Sequence, residues 1–125
     1  QKYMLKVVLL SISTTLLITT GQVLWKIGIQ KAGGFHLPGE PLFANIFRIV
    51  FNGWVFSGFM VYALATVFFM WLISKFEISL IVPITSVAFI YSLLAGYFIF
   101  HEQISIVRIA GVLLIILGVF LVVKN

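Results

Sequence analysis

The chain of 125 residues has no cysteine, no aspartate and only three glutamates. The absence of cysteine excludes disulfides and thiolate metal sites, and the two histidines are too far apart in sequence to form a local metal motif. No cofactor or metal ion is therefore predicted. Only 9% of the residues are charged and 62% are hydrophobic, whereas a soluble domain this small needs much more polar surface. Lipid is predicted to be the solvent for most of the surface.

Four apolar runs are long enough to cross a membrane, since a hydrocarbon core of about 30 Å needs ~20 residues of helix. They lie at about 3–25, 53–73, 79–100 and 106–123. The later loops are short, so consecutive helices are expected to be antiparallel neighbours. The predicted fold is an all-α integral membrane bundle of four transmembrane helices, forming a single domain over residues 1–125. Trp25, Trp54 and Trp71 fall at predicted helix ends, where interfacial tryptophans are common.

The connection between the first and second runs contains its own helical pattern. After the turn signal Gly33-Gly34, Glu40-Pro41 is typical of a helix start. Apolar residues then recur at helical spacing, at Phe43, Ile46, Phe47, Val50 and Phe51. This pattern fits a short amphipathic helix in the membrane interface, and it fits equally well an extension of the second span.

Basic residues give no orientation, because four lie at each predicted membrane face and the positive-inside rule then has no bias to act on. A chain balanced in this way can insert in both directions or can take its orientation from a partner. Four helices alone hardly enclose a path for a solute. A homodimer, antiparallel or otherwise, or a heterodimer with a related four-helix subunit is therefore expected.

A row of polar residues on the first helix is the most specific feature of the sequence. Ser11, Thr15, Thr19, Gln22 and Lys26 are spaced 4, 4, 3 and 4 apart and share one helix face. Polar side chains within a membrane face protein or a water-filled cavity, because lipid offers them no hydrogen-bond partner. The hydroxyls could serve packing alone by bonding back to their own helix. Gln22 and Lys26 are assigned to an anionic ligand because they continue this face, with snorkelling of Lys26 to the membrane interface beside Trp25 as the alternative.

The third helix carries a second row, Thr85, Ala88, Ser92 and Ala95, with Gly96 beside it. Small residues allow another backbone to approach closely, so Ser92 and Gly96 are assigned to packing. Pro83 is expected to bend this helix, and Ser86 and Tyr91 are further candidates for lining a cavity.

Two glycines of the fourth helix, Gly111 and Gly118, lie seven residues apart on one face among Leu, Ile and Val. This pattern predicts a surface for association between helices.

The three acids, Glu40, Glu77 and Glu102, all fall in predicted loops or at helix ends. A proton-coupled exporter of cations needs a carboxylate within the membrane, and this sequence places none there. The available charge is positive, which suits an anion such as a phosphate. Glu102 is expected to pair with Arg108 in the first turn of the fourth helix, where Ser105 fits the N-cap position. No arrangement of residues typical of an enzyme is present, and no nucleic-acid partner is predicted.

Several short motifs together resemble a known family. They are Gly21-Gln22 followed by Lys26, then Pro83-Ile84-Thr85-Ser86, then His101-Glu102-Gln103-Ile104-Ser105 leading to Gly111. In order and spacing they resemble the four-helix members of the drug/metabolite transporter superfamily. Within it they are most similar to the EamA-like subunits that flip aminoarabinose-phosphoundecaprenol across the bacterial inner membrane.

The resemblance implies a membrane transporter for an undecaprenyl-phosphate-linked sugar or a similar anionic lipid, with a head-group role for Gln22 and Lys26. Thr19 and Thr15 extend that row, and Lys31 and Arg48 are added as cations near the same membrane face. The related small multidrug resistance proteins carry an essential glutamate at the position of Ile18, which speaks against proton-coupled drug export here. Two alternatives stay open: an exporter of small solutes, and a non-transporting subunit that scaffolds a glycosyltransferase.

Overall fold

The computed structural model describes residues 2–34 and 39–124. Within these residues the secondary structure is helical. The helices are α1 (Lys2–Lys31), α2 (Leu42–Val50), α3 (Gly53–Lys75), α4 (Ile78–Ile84), α5 (Ala88–Phe98) and α6 (Ile106–Lys124), with a 3₁₀ turn at Thr85–Val87 between α4 and α5. Four stretches of the described chain are long and apolar enough to span a membrane, at Tyr3–Lys31, Gly53–Lys75, Ile78–Phe98 and Ile106–Lys124. The predicted four-helix membrane fold is confirmed.

Helix α1 continues six residues beyond its predicted end at Trp25 and stops at Lys31. It closes in a Schellman motif, in which Gly34 N–H donates to Ile29 O at 2.9 Å and Gly33 N–H donates to Gln30 O at 3.2 Å. Gly33 makes this turn possible, because its φ of 88° is open to glycine at little cost. The turn predicted at Gly33-Gly34 is therefore confirmed.

Trp25 was expected at a helix end, and that expectation is wrong because the helix runs on past it. The Trp25 ring packs on α3, with its centroid 5.0 Å from that of Phe59 and 4.9 Å from that of Tyr62. Its indole Nε1 is buried without a hydrogen-bond partner. Trp25 thus contributes to packing between α1 and α3.

Helix α2 is a separate helix and does not extend α3, because Asn52 interrupts the chain between them. The side chain of Asn52 accepts a hydrogen bond from Trp54 N–H at 3.0 Å and caps the start of α3. The polar side of α2 faces the protein, where Asn45 is only 4% exposed. Phe43 and Phe47 face outward, at 76% and 56% exposed. Of the two predictions for this segment, the aromatic row on the outer surface fits the short amphipathic helix in the membrane interface.

Helices α1 and α3 form the main helix pair, and the two halves of the third span pack against α1. The fully buried core lies near the amino end of α1, where Val7 meets Leu72 and Ile81. Glycines bring α1 and α3 close together: a Cβ at Gly58 would lie 2.7 Å from Gly21 O, and a Cβ at Gly28 would lie 2.8 Å from Val55 N. Helix α6 lies at the edge, contacts α4 and the 3₁₀ turn, and buries none of its described residues.

The third span is interrupted close to Pro83, as predicted. Proline has no N–H to donate and its ring crowds the preceding turn. Helix α4 ends one residue later, at Ile84, and the chain tightens into the 3₁₀ turn before α5 begins. This break positions Thr85 and Ala88 against the polar row of α1.

Candidate functional site

The polar row of α1 is buried inside the protein from Ser11 to Thr19. Ser11, Thr15 and Thr19 are 0%, 2% and 2% exposed. The hydroxyls of Thr15 and Thr19 donate to the carbonyls of Ser11 and Thr15, one turn earlier, at 2.8 and 2.9 Å. These hydrogen bonds are the ones expected if the hydroxyls serve helix packing alone. Ser11 Oγ is buried without a hydrogen-bond partner, so the row still offers an unused polar atom.

The carboxyl-terminal half of the row opens into a cavity of about 210 Å³, named here the Lys26 cavity. Thr19, Gln22 and Lys26 contribute from α1, and Gln22 and Lys26 are exposed while Thr19 is buried. The remaining lining residues are Val23, Ser92, Ala95, Gly96, Phe100 and Glu102. Ser92 and Gly96, which were assigned to packing, therefore also line the cavity.

An ion pair between Lys26 and Glu102 lies at this cavity. Both side chains stay accessible, at 45% and 40% exposed, and Lys26 Nζ also lies 4.6 Å from the centre of the Phe100 ring. The expected pairing of Glu102 with Arg108 is wrong, because the turn after α5 directs the carboxylate toward α1. Ser105 is nevertheless the N-cap of α6, since Arg108 N–H donates to Ser105 Oγ at 3.1 Å.

Backbone geometry places Glu102. Its N–H donates to Gly96 O at 2.8 Å, which folds the chain back over the end of α5. His101 makes this reversal with a φ of 54°, in the left-handed region that few residues other than glycine adopt. Gly96 leaves room for the carboxylate, because a Cβ there would lie 2.5 Å from Glu102 Oε1. Strained turns of this kind are often found at functional sites.

A second cavity of about 430 Å³ adjoins the first along α1. Thr19 and Gln22 line both cavities, so the polar row is continuous between them. The other lining residues are Thr15, Ile18, Tyr62, Thr66, Phe69, Thr85 and Ala88. None of these nine residues is acidic, and Ile18 is among them.

Next to the Lys26 cavity lies an apolar groove of about 580 Å³. It lies between α1 and the second half of the third span, and Ala95 belongs to both the groove and the Lys26 cavity. Its lining is Ile12, Leu16, Val87, Ile90, Tyr91, Leu94, Ala95, Phe98 and Ile99. Tyr91, predicted to line a cavity, thus lines this groove, and its hydroxyl lies 2.9 Å from Thr20 Oγ1.

Lys31 and Arg48 line none of these three cavities. Lys31 Nζ lies over the Trp54 ring, 5.4 Å from its centre. Arg48 closes the end of α1, where its guanidinium donates to Ala32 O and to Gly34 O, the latter at 2.8 Å. Its Nε also lies 3.5 Å from Glu40 Oε2. The structure therefore separates these two cations from Lys26.

Ser86 lies half-buried in the 3₁₀ turn and also lines none of the three cavities. At Gly111 and Gly118 an added Cβ would meet no atom within 4 Å. The glycine face of α6 is open within the part of the chain that the structure describes.

The residues that sequence reasoning missed come from distant parts of the chain. Phe100 and Glu102 meet Lys26 across more than seventy positions, and Tyr62 and Thr66 bring α3 into the second cavity. The motif around Glu102 was a usable signal for a site, but its partner required the tertiary structure.

A family model described as Putative transmembrane family 234 matches residues 30–123, which begin beyond the polar row of α1. In Enterobacter sp. (strain 638), the Probable 4-amino-4-deoxy-L-arabinose-phosphoundecaprenol flippase subunit ArnE is 33% identical over 69 residues. That match covers 55% of this chain and 64% of the relative, so the chain spans less than two thirds of the relative's length. No solved structure gives a significant match.

The relative confirms the resemblance to aminoarabinose-phosphoundecaprenol flippase subunits that the motifs indicated. Since the family match extends over most of the chain and four of its described helical stretches are of membrane length, the chain is a multi-pass membrane protein that belongs to Putative transmembrane family 234.

Proposed function

We propose that this chain is one subunit of a transporter that flips an undecaprenyl-phosphate-linked sugar, or a similar anionic lipid-linked substrate, across the bacterial inner membrane. The observation that carries the proposal is the position of Lys26, which lies in a cavity with charged and polar lining residues directly beside an apolar groove. A lipid with a charged head and an apolar tail needs these two environments side by side.

The depth of Lys26 suits the head group of such a lipid. Lys6 and Lys26 are twenty residues apart on one continuous helix. At 1.5 Å per residue this is about 30 Å, which matches the thickness of the hydrocarbon core. With Lys6 at one edge of the hydrocarbon core, Lys26 lies at the opposite edge, where the phosphate of a lipid lies.

The row from Lys26 toward Thr15 provides a polar route into the membrane. Lys26 neutralises the phosphate, and the exposed Gln22 offers hydrogen-bonding groups to a sugar. Thr19 and Thr15 donate their hydroxyl protons to their own helix, so their oxygens can only accept from the sugar. A head group that moves along protein hydrogen-bonding groups avoids the cost of exposing unpaired polar atoms to hydrocarbon. Tyr62, Thr66 and Thr85 complete the far wall of this route.

The apolar groove suits an isoprenoid chain. Its lining is aliphatic and aromatic apart from the Tyr91 hydroxyl, which is engaged with Thr20. Because the groove and the Lys26 cavity share Ala95, a tail can lie against α5 while its phosphate contacts Lys26. The tail then stays on the lipid side while the head moves through the protein.

A second four-helix subunit, identical or related, completes the path. Helix α6 buries none of its described residues in the isolated chain, and its open glycine face allows another helix to approach closely. Both antiparallel and parallel pairs satisfy this requirement.

The test is transport of the lipid in reconstituted vesicles by the Lys26→Gln variant. We expect a loss of at least about tenfold, the size of one hydrogen bond to a charged group. Lys31→Gln is the matched control, because it removes the same charge five residues along the same helix, from a lysine that contacts Trp54 instead. Normal flipping by Lys26→Gln, in protein that inserts normally, would contradict the proposal.

The structure favours neither alternative. An exporter of organic cations needs an acid in the membrane, and Ile18 lines the second cavity in its place. A scaffold subunit needs no polar row that opens into cavities. Proton release by the purified protein on addition of an organic cation would favour the exporter.

A further inference from the structure

Lys26 has a counter-ion within the chain. Its ammonium group pairs with the Glu102 carboxylate, and Lys26 Nζ also lies 4.6 Å from the centre of the Phe100 ring. Both charged groups line the same cavity. A lipid phosphate that pairs with Lys26 must therefore compete with Glu102 for it.

We propose that Glu102 is the internal competitor that releases a lipid phosphate from Lys26. This inference rests on the proposed function, in which Lys26 holds the phosphate. The lipid displaces the Glu102 carboxylate from Lys26 when it binds, and the carboxylate returns to Lys26 as the phosphate leaves. Lys26 thus changes its partner without being left unpaired.

The ion pair is weak enough for a lipid to displace. The Lys26 and Glu102 side chains are 45% and 40% exposed, and ion pairs that water reaches to this degree change an equilibrium constant by at most about fivefold. A phosphate is itself a strong acceptor for an ammonium group. Water also reaches the carboxylate once Lys26 has left it, so the displaced acid does not become a buried, unpaired charge.

The backbone keeps Glu102 close to Lys26 after displacement. Glu102 N–H donates to Gly96 O at 2.8 Å, and the chain reversal at His101 directs the side chain toward α1. A group tethered beside its partner competes at a high effective concentration that does not depend on the amount of lipid. Glu102 is therefore positioned to pair with Lys26 again as soon as the phosphate moves away.

Release is as necessary for transport as binding. A lysine without a competing acid would hold the phosphate longer, because tighter binding appears mostly as slower dissociation. Slow release then limits the turnover of the whole cycle. Among the described residues that line the Lys26 cavity, Glu102 is the one acid, so the exchange is assigned to this residue.

The experiment measures binding and flipping separately in the Glu102→Gln variant. The probe is undecaprenyl phosphate carrying a neutral hexose, with binding measured on the purified full chain in nanodiscs and flipping in reconstituted vesicles at saturating lipid. We expect Glu102→Gln to bind the probe about fivefold more tightly, the most that an exposed ion pair contributes, and to flip it several-fold more slowly. A merely structural role of Glu102 predicts weaker binding together with slower flipping.

Two further variants separate charge from structure. Glu102→Asp keeps the carboxylate and should stay close to the wild type in both measurements. Glu77→Gln is the matched control, because it removes the same charge from an exposed side chain at the start of α4 that makes no capping hydrogen bond. Its binding and flipping should be unchanged.

A second measurement uses the wild-type chain alone. Since the chain has only three glutamates, infrared difference spectra of protein with isotope-labelled glutamate resolve their carboxylates from the rest of the protein. Addition of the probe should change the band of one carboxylate, as Glu102 loses its contact with Lys26.

Weaker or unchanged binding by Glu102→Gln would overturn this inference and leave lipid flipping in place, and so would tighter binding with undiminished flipping. Carboxylate bands that do not respond to the probe would also overturn it, even where the variants fail to fold. Failure of the wild-type protein to bind the probe would remove the proposed function as well.

Discussion

The missing side chain of Gly96 decides where the Glu102 carboxylate lies. Because the space that a Cβ would fill is occupied by Glu102 Oε1, the carboxylate can lie over the end of α5 and reach Lys26. His101 makes the reversal that brings it there. The ion pair between Lys26 and Glu102 thus depends on the backbone at Gly96 and His101, although neither residue takes part in the pair.

We predict that Gly96→Ala reduces transport by displacing the Glu102 carboxylate. Alanine is favoured over glycine by about 1 kcal/mol within a helix, so a loss of function would not come from a weaker helix. The measurement is lipid flipping in vesicles, with a several-fold loss expected. Gly53→Ala is the control, because its new methyl group meets nothing within 4 Å and the position lies outside the cavity and outside the glycine face of α6. Equal activity of the two variants would mean that the position of Glu102 does not matter.

Helices α1 and α3 pack closely because glycines lie at their contact. Gly21 and Gly58 face each other, and a Cβ at either position would come within 3 Å of the other's carbonyl oxygen. In lipid, where hydrophobic burial adds little, close van der Waals packing is a main source of helix association. Trp25 packs beside this contact, so the segment of α1 leading to Lys26 is fixed against α3.

We predict that Gly58→Ala destabilises the protein by about 1–3 kcal/mol, the usual effect of overpacking. The added Cβ would lie 2.6 Å from Trp25 Cδ1 and 2.7 Å from Gly21 O, and the backbone contact can be relieved only by moving the helices apart. Thermal unfolding in detergent measures the effect. Gly53→Ala provides the control, since it lies on the same helix with nothing within 4 Å of the new methyl group. An unchanged melting temperature for Gly58→Ala would show that the two helices are not closely packed in solution.

At the scale of the whole molecule, α6 has the smallest buried share among the four described spans. None of the residues in the apolar 18-residue stretch of α6 is buried, whereas 33% of those in the corresponding stretch of the first span are buried. Lipid can cover such a helix, but the open faces of Gly111 and Gly118 allow a second helix to approach more closely than lipid does. The glycine face of α6 is therefore the expected contact in a dimer.

We predict that replacing both Gly111 and Gly118 by leucine weakens dimerisation, because the bulky side chains would hold the second helix away. Energy transfer between labelled copies in bilayers measures the association, and a loss of at least about tenfold is expected from the removal of close packing. Phe120→Leu serves as the control: it lies nine residues from Gly111, on the opposite face of the helix. Unaltered association of the double variant would place the dimer contact elsewhere.

The sequence alone determined the features that depend on local pattern. The four spans follow from runs of apolar residues, the N-cap of α6 from Ser105, the break in the third span from Pro83, and the common helix face of the polar row from its spacing. Each of these is set by neighbours within a few helical turns, where the rules of membrane solvation apply directly.

Only the tertiary structure decided which residues meet. Glu102 pairs with Lys26 instead of the nearby Arg108, and Arg48 closes the end of α1 instead of joining Lys26. The physical reason is that both pairings depend on turns whose direction no periodicity encodes, at His101 and at Gly33. A charged side chain in an apolar sequence predicts that it has a partner, and the course of the backbone decides which residue that partner is.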